Sequence, residues 1–299
     1  LHKAKETARE SPGAAPFAPS LLAWSASSRR DLPWRRTRDP WPVLVSELML
    51  QQTQVSRVVP RFEHFLARFP TPATCARAPV ADVVRAWHGL GYNRRAVSLH
   101  RTATMVVERH HGRLPSELDA LLALPGVGAY TARAVLAFAF ERDVGVVDTN
   151  AGRVLARISG QRLGLRQAQD LATSHVPPGQ GWAWNQAMLD LGSTVCTRRA
   201  PRCGECPLSS QCAWRAAGLA EPDPAERSAG ARARQPRFAG SDRQGRGRLV
   251  EALCLGPVPV EKLAVVAGWP DHPERARRVT ASIVADGLAV ETDGVLTLP

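Results

Sequence analysis

From Leu21 to about Ala217, apolar residues recur every three or four positions in segments cut by Pro and Gly, and they rarely alternate in the two-residue rhythm of a strand. This pattern predicts an all-α region spanning about 20–220, preceded by a disordered lead-in over residues 1–19. Between Glu221 and Arg248 the periodicity gives way to Pro, Gly, Ala, Ser and Arg, including Arg227, Arg232, Arg234, Arg237, Arg243, Arg246 and Arg248. Such a composition predicts a flexible basic linker able to lie along phosphates. Periodicity then returns, with short helices predicted at Leu249–Cys254, Val260–Ala267 and Pro273–Ala285. A hairpin should follow, with Leu288 to Glu291 and Val295 to Leu298 joined by a Thr292-Asp293-Gly294 turn.

Three helices closed by a hairpin over residues 249–299 resemble a winged-helix module. Arg275, Arg277 and Arg278 on the third helix favour DNA as its target, with protein docking or a structural cap as alternatives, and any protein partner stays unidentified. The formal charge of +12 makes a polyanion the leading partner of the chain. Lys3, Lys5 and Lys262 are the only lysines, so the Arg bias follows genome composition as readily as phosphate recognition. No apolar run reaches bilayer length and no amphipathic anchor is evident, so the chain is expected off the membrane, in the cytoplasm with the nucleoid, as a monomer.

Four of the six cysteines, Cys196, Cys203, Cys206 and Cys212, fall within seventeen residues as C-x6-C-x2-C-x5-C. Four thiolates on one loop can saturate a metal centre. Zinc sites of four cysteines usually come as two close pairs, whereas here one close pair is flanked by single cysteines, which favours a 4Fe-4S cluster over zinc. A disulfide framework fits less well, because Cys75 and Cys254 stand alone and no signal peptide precedes them.

Leu124-Pro125-Gly126-Val127-Gly128 lies between two helical stretches, and its glycines permit a tight turn whose backbone N–H groups can hold phosphate directly or through a monovalent cation. Upstream, Glu47 sits in Ser46-Glu47-Leu48-Met49-Leu50-Gln51-Gln52-Thr53-Gln54; downstream comes Val147-Asp148-Thr149-Asn150. With Leu32-Pro33-Trp34-Arg35, Gly89-Leu90-Gly91-Tyr92, Asn185-Gln186-Ala187 and the cysteine loop, these run in the order found in the helix-hairpin-helix DNA glycosylases. Within that superfamily the chain resembles the MutY adenine glycosylases more than endonuclease III, over about Leu21 to Trp214.

The resemblance implies a mainly α fold in two lobes, a helical barrel over about 36–141 and an iron-sulfur lobe over about 20–35 and 142–220. It implies a monofunctional enzyme that removes adenine mispaired with 8-oxoguanine or G from double-stranded DNA. Glu47 would protonate the adenine and later activate water, and Asp148 would stabilise the sugar cation and bond to it transiently. Apolar neighbours around Glu47 suggest a buried carboxyl, which tends to keep its proton. The alternatives are a solvated helix face for Glu47 and a helix N-cap for Asp148. Lyases of the superfamily carry a nucleophilic Lys where this chain has Tyr130, so Tyr130 and Asn150 would orient Asp148 rather than attack the sugar.

Base flipping requires a wedge, and Gln52 and Tyr92 match those positions, with Thr53, Leu90, Gly126, Val127 and Gly128 as further DNA contacts. Leu32, Trp34, Arg35 and Gln186 match positions around the extruded adenine, although Trp34 could equally be core. Arg198, Arg199 and Arg202, beside the first cysteine, would meet phosphate. Two departures stand out. Asn93 replaces a second Tyr after Tyr92, and about fifty residues beyond the linker are too few for the Nudix-like domain that inspects 8-oxoguanine in MutY proteins. Weaker preference for 8-oxoguanine is therefore expected. A glycosylase for oxidised pyrimidine or mismatched T, or a non-catalytic iron-sulfur DNA-binding protein, are the competing readings.

Overall fold

The computed structural model describes residues 16–229 and 236–299. The expectations for residues 1–15 and for Arg232 and Arg234 lie outside them. The helices run α1 (Ala18–Ser28), α2 (Pro40–Leu50), α3 (Val55–Arg68), α4 (Pro72–Arg77), α5 (Val80–Trp87), α6 (Arg94–His110), α7 (Leu118–Leu122) and α8 (Ala129–Phe138). They continue with α9 (Thr149–Ser159), α10 (Leu165–Ser174), α11 (Gly181–Thr194), α12 (Ala213–Ala216), α13 (Asp242–Leu255), α14 (Leu263–Ala267) and α15 (Pro273–Ala285). Three short strands, β1 (Val258–Pro259), β2 (Val290–Thr292) and β3 (Val295–Thr297), complete the mainly α fold. No helix among the described residues is long and apolar enough to cross a membrane.

Local chemistry sets the helix starts. Asp39 caps α2 by accepting from Trp41 N (3.0 Å), with Pro40 in the first turn. Thr71 and Thr74 form a reciprocal capping box at α4. In the C-terminal hairpin Asp293 and Gly294 both take positive φ, as a two-residue turn between right-twisted strands requires. The sheet order is β1-β3-β2, all antiparallel, with Val258 opposite Leu296 and Val290 opposite Thr297.

The described chain divides into two compact units. One joins 16–31 to 136–229 and holds α1 and α9–α12 around Leu21, Leu155, Trp184, Met188 and Leu191. In it Phe17 stacks on Trp184 with ring centroids 5.6 Å apart, and α11 packs against both α1 and α9. The other joins 32–135 to 236–299 and holds α2–α7, most of α8, and α13–α15 with the sheet. Its core includes Trp41, Leu48, Met49, Phe65, Trp87 and Leu99, and Trp41 Nε1 donates to the Phe69 carbonyl (2.9 Å).

Two features differ from the sequence reading. The stretch expected to be a free linker is largely engaged. Asp223 pairs with the buried Arg157 (2.6 Å), Ala229 N donates to the Leu163 carbonyl (2.8 Å), and α13 already begins at Asp242. A guanidinium buried to 2% exposure needs a carboxylate, and Asp223 supplies it despite a surrounding composition typical of linkers. The C-terminal module also packs on the same unit as α2–α7. Ala81 N donates to the Pro299 carbonyl (3.2 Å), and Arg94 pairs with Asp286 (3.5 Å). The arginines of α15 are occupied inside the module: Arg275 and Arg278 bond to Asp242 (2.7 and 2.9 Å), and Arg277 to Glu274 (3.0 Å).

Arg157 Nη1 also donates to the Thr197 carbonyl, and its guanidinium lies 4.5 Å over the Trp214 ring. Replacing Arg157 by Met strands Asp223 and is expected to lower stability by about 3–5 kcal/mol in urea unfolding. A loss below about 1 kcal/mol would place the pair with ordinary surface bridges.

Candidate active site

In the second unit Glu47 lies on α2, a helix apolar on nearly every side, and is only 5% exposed. Its Oε2 is buried without a hydrogen bond, while the residue keeps interactions elsewhere. At the end of α2 the chain turns through Gln51, Gln52 and Thr53. Gln52 has φ of 57°, and Tyr92, in the neighbouring loop, has φ of 48°. Both are side-chain-bearing residues in left-handed backbone, a strain that persists only where the surroundings fix it.

Arg95 fixes it. From α6 its Nη1 donates to the carbonyls of Leu48, Met49 and Gln51 (2.6, 3.0 and 2.6 Å), the unpaired acceptors at the end of α2. Its Nη2 donates to Thr53 Oγ1 (3.1 Å) and the Gly91 carbonyl (2.9 Å). One guanidinium thus ties both loops. Burial lowers its pKa to about 10, partly opposed by Tyr92, so it stays charged at neutral pH. Gln52 and Tyr92 are exposed, whereas Leu90 is buried and offers its carbonyl to Thr53 Oγ1 (3.3 Å).

Between α7 and α8 the Pro125-Gly126-Val127-Gly128 turn is pinned by the buried Val127 and by Thr102 Oγ1 donating to the Pro125 carbonyl (2.7 Å). Gly126 has φ of 79°, and a Cβ there would stand 2.7 Å from the Ser98 Cβ, so glycine is required twice over. Gly128 is exposed just before α8, and Tyr130, two residues further on, is half-buried. Leu32, Trp34 and Arg35 are all buried, with Trp34 edge-on to Phe62 at 5.4 Å.

In the first unit Asp148 is the N-cap of α9. Its Oδ1 accepts from the backbone N of Asn150 and Ala151 (both 2.7 Å), and its Oδ2 from Asn150 Nδ2 (2.8 Å). Burial raises its pKa; the bonds from Ala151 and Asn150 and the charge of Arg153 oppose the rise without cancelling it. Arg153 Nη2 donates to Asn150 Oδ1 (2.9 Å) and to the Gly192 carbonyl, and its Nε to the Cys196 carbonyl (2.7 Å). Asn185 holds the segment entering the cap, accepting from Val146 N (2.8 Å) and donating to the Val144 carbonyl (2.8 Å). Gln186, the next residue, is buried.

Cys196, Cys203, Cys206 and Cys212 line one cavity in the same unit, walled by apolar side chains such as Val154 and Leu208. No disulfide joins them. Burial pushes the Cys206 thiol up to about 11 and raises Cys196, which also accepts a hydrogen bond from Arg157 Nη1 (3.4 Å). Among the described residues no three His, Cys, Asp or Glu side chains stand as a ready-made metal site. Arg202 is tied to Glu205 (2.9 Å) and to the Thr194 carbonyl (2.8 Å).

The comparisons with known proteins agree with this geometry. The profile of HhH-GPD superfamily base excision DNA repair proteins matches residues 45–166, and that of the iron-sulfur binding domain of endonuclease III matches residues 196–212. An adenine DNA glycosylase of Mycolicibacterium smegmatis is 44% identical over 285 residues, covering 93% of this chain and 94% of that protein. The chain belongs to the adenine DNA glycosylase family. The adenine DNA glycosylase of Homo sapiens is 40% identical over 211 residues, which cover 66% of this chain and 39% of that protein. Among solved structures, a thermostable thymine-DNA glycosylase aligns with a TM-score of 0.65 at 31% identity, over 67% of this chain and 95% of that one. A DNA-bound endonuclease III aligns with a TM-score of 0.59 at 22% identity, a likeness of fold.

As an adenine DNA glycosylase the chain is a DNA N-glycosylase of base excision repair, and its four cysteines suit a 4Fe-4S cluster. Such a cluster supplies the positive charge that lets buried thiols ionise. Arg95 and Arg153 are site-building residues that sequence reasoning overlooked. Asn185 was visible as part of a motif, but nothing in the sequence marked the two arginines among so many. The glycosylase should contain about four iron and four acid-labile sulfide per chain, with brown absorbance. One zinc and no sulfide on elemental analysis would defeat the assignment.

Proposed function

We propose that this glycosylase removes adenine paired with 8-oxoguanine or G, hydrolyses only the N-glycosidic bond, and leaves the strand intact. Glu47 is the acid: it protonates adenine at N7, which lets the base leave as a neutral species, and then takes a proton from the attacking water. Asp148 is the counter-charge to the sugar as it gains oxocarbenium character, and it bonds to the sugar transiently. Asn150 and Tyr130 orient Asp148. Gln52 and Tyr92 enter the base stack, with Thr53 and Leu90 supporting the wedge. Gly126, Val127 and Gly128 hold a phosphate, and Leu32, Trp34, Arg35 and Gln186 surround the extruded adenine.

The observation that carries this reading is the state of Asp148. Three hydrogen bonds aim its carboxylate, and burial still pushes its pKa up, so ionising it costs more than in water. A developing sugar cation offsets that cost, which is preorganised electrostatic stabilisation. Tyr130 offers no amine for a Schiff base, which supports base removal without strand cleavage.

The test is a single-turnover assay on end-labelled duplexes carrying A opposite 8-oxoguanine, G, C or T, and T opposite G, read with and without alkali. Breaks that need alkali and form fastest from A:8-oxoguanine or A:G are expected, and Glu47→Gln and Asp148→Asn should each slow them by at least about 100-fold. Breaks without alkali would refute the monofunctional reading, and cleavage of only the T:G duplex would redirect the substrate.

Asp148→Asn also has an expected stability signature. Because the folded-state pKa lies above the unfolded value of about 3.9, ionised Asp148 costs stability. That cost is absent below the unfolded pKa and complete above the folded one. Asn keeps the cap without the charge. The variant should therefore melt at or above the parent temperature at pH 7, with its advantage shrinking as pH falls towards 4. A variant clearly less stable at pH 7 would mean that Asp148 serves mainly as a cap.

A further inference from the structure

The C-terminal module contributes to a pocket that no catalytic role explains. An open cavity of about 340 Å³ in the second unit is lined on one side by Gln52, Tyr92, Arg94 and Ser98, and on the other by Arg246 of α13 and Asp286 just after α15. Its size lies at the lower end of small-ligand sites, roughly 300–1,000 Å³. Asp286 Oδ2 accepts from Arg246 Nη2 (2.5 Å), Arg246 Nη1 donates to Ser282 Oγ (2.7 Å), and Arg94 Nε lies 3.5 Å from Asp286 Oδ1. Asp286 and Arg246 are each about one-quarter exposed, and Arg94 is 73% exposed.

We infer that this pocket takes the guanine-type base, guanine or 8-oxoguanine, that stands opposite the adenine to be removed, and that Asp286, Arg246 and Arg94 read its edges. The inference rests on the proposed excision of mispaired adenine and extends it to the choice of opposite base. Gln52 and Tyr92, the residues assigned to the wedge, form one wall, so the pocket adjoins the place where the stack is opened. Its chemistry selects among bases. Guanine alone presents two adjacent N–H donors on one edge, N1–H and the 2-amino group, and 8-oxoguanine keeps both. A carboxylate has about four acceptor positions and can take that pair while still bound by arginines. Guanidinium donors suit O6, the acceptor beside those two donors. Cytosine and thymine offer no such pair.

Arg95 and Gly126 also line the cavity, and Gly126 belongs to the turn assigned to a backbone phosphate; beside Asp286 a phosphate fits less well. A carboxylate facing it adds repulsion and desolvation that a pocket of arginine and backbone N–H groups avoids. The module that holds Asp286 is fixed on the unit through Ala81 and Pro299 and through His88 and Glu251 (3.7 Å), so the wall is placed before DNA arrives.

The test uses the full chain with its cluster, in single-turnover excision from duplexes with A opposite 8-oxoguanine, G, C or T, and in equilibrium binding of the same duplexes. In Asp286→Asn the ratio of the A:G to the A:C rate should fall on the order of tenfold, the discrimination typical of one bidentate pair. Arg94→Gln, at an exposed position, should shift the same ratio in the same direction with an unchanged melting temperature, which separates recognition from folding. If Asp286→Asn instead tightens binding to all four duplexes alike, the pocket holds phosphate; if both variants slow all four alike, the pair is structural. Either result overturns the inference, as does a parent enzyme indifferent to the opposite base. A parent that removes no adenine from any duplex would sink the excision reading itself, while purine-selective binding lost in Asp286→Asn would still support the pocket.

Discussion

A single buried guanidinium determines the shape of two neighbouring loops in the second unit. Helix α2 carries Glu47 and ends in carbonyls that no further turn of helix can satisfy. Arg95 takes three of them and, with its other nitrogen, binds the loop that presents Tyr92. The left-handed backbone at Gln52 and Tyr92 is sustained by these bonds, because neither residue would adopt it unaided. The guanidinium thus converts a helix end, normally a frayed element, into a rigid support for two exposed side chains. The cation also lies 5.4 Å over the rings of both Trp87 and Tyr92, which fills the space around it without solvent.

The first unit applies related logic with the charges reversed. Asp148 satisfies the donors at the start of α9, Asn150 adds a third bond, and Arg153 orients Asn150 while reaching the carbonyls of Gly192 and Cys196. The cap that begins the helix and the group assigned to the sugar are one carboxylate: the geometry shows the cap, and the cap leaves room for the proposed second role. Arg157, one turn further along α9, bonds to Cys196 Sγ and to Asp223, and so connects the cysteine loop to the segment that leaves the unit. The cysteine loop and α9 are consequently held by the same two arginines.

Much of this was legible in the sequence. Helical periodicity, the Pro125 turn, the carboxylates with their flanking residues and the cysteine spacing are local signals, and each survives folding because its chemistry acts over a few residues. What escaped the sequence depends on distant partners. Arg95 and Arg153 are indistinguishable by composition from the many surface arginines until their acceptors are known. The engagement of 221–229 turns on one carboxylate, Asp223, meeting one buried guanidinium. The basic character of α15 was real in sequence but is spent within the module on Asp242 and Glu274. The docking of the module through Asp286 had no local signature at all.

Gly192 shows how far such a site extends beyond its chemistry. It lies in the last turns of α11, and a Cβ there would stand 2.7–2.8 Å from the Cβ, carbonyl carbon and carbonyl oxygen of Asn150. The smallest missense change would therefore push Asn150 away from Asp148 without altering any group that touches a nucleotide. In a population, that makes Gly192 a hidden point of failure. A lineage that acquires such a change disturbs the start of α9, and with it the bond between Asn150 and Asp148, through a lesion of one methyl group.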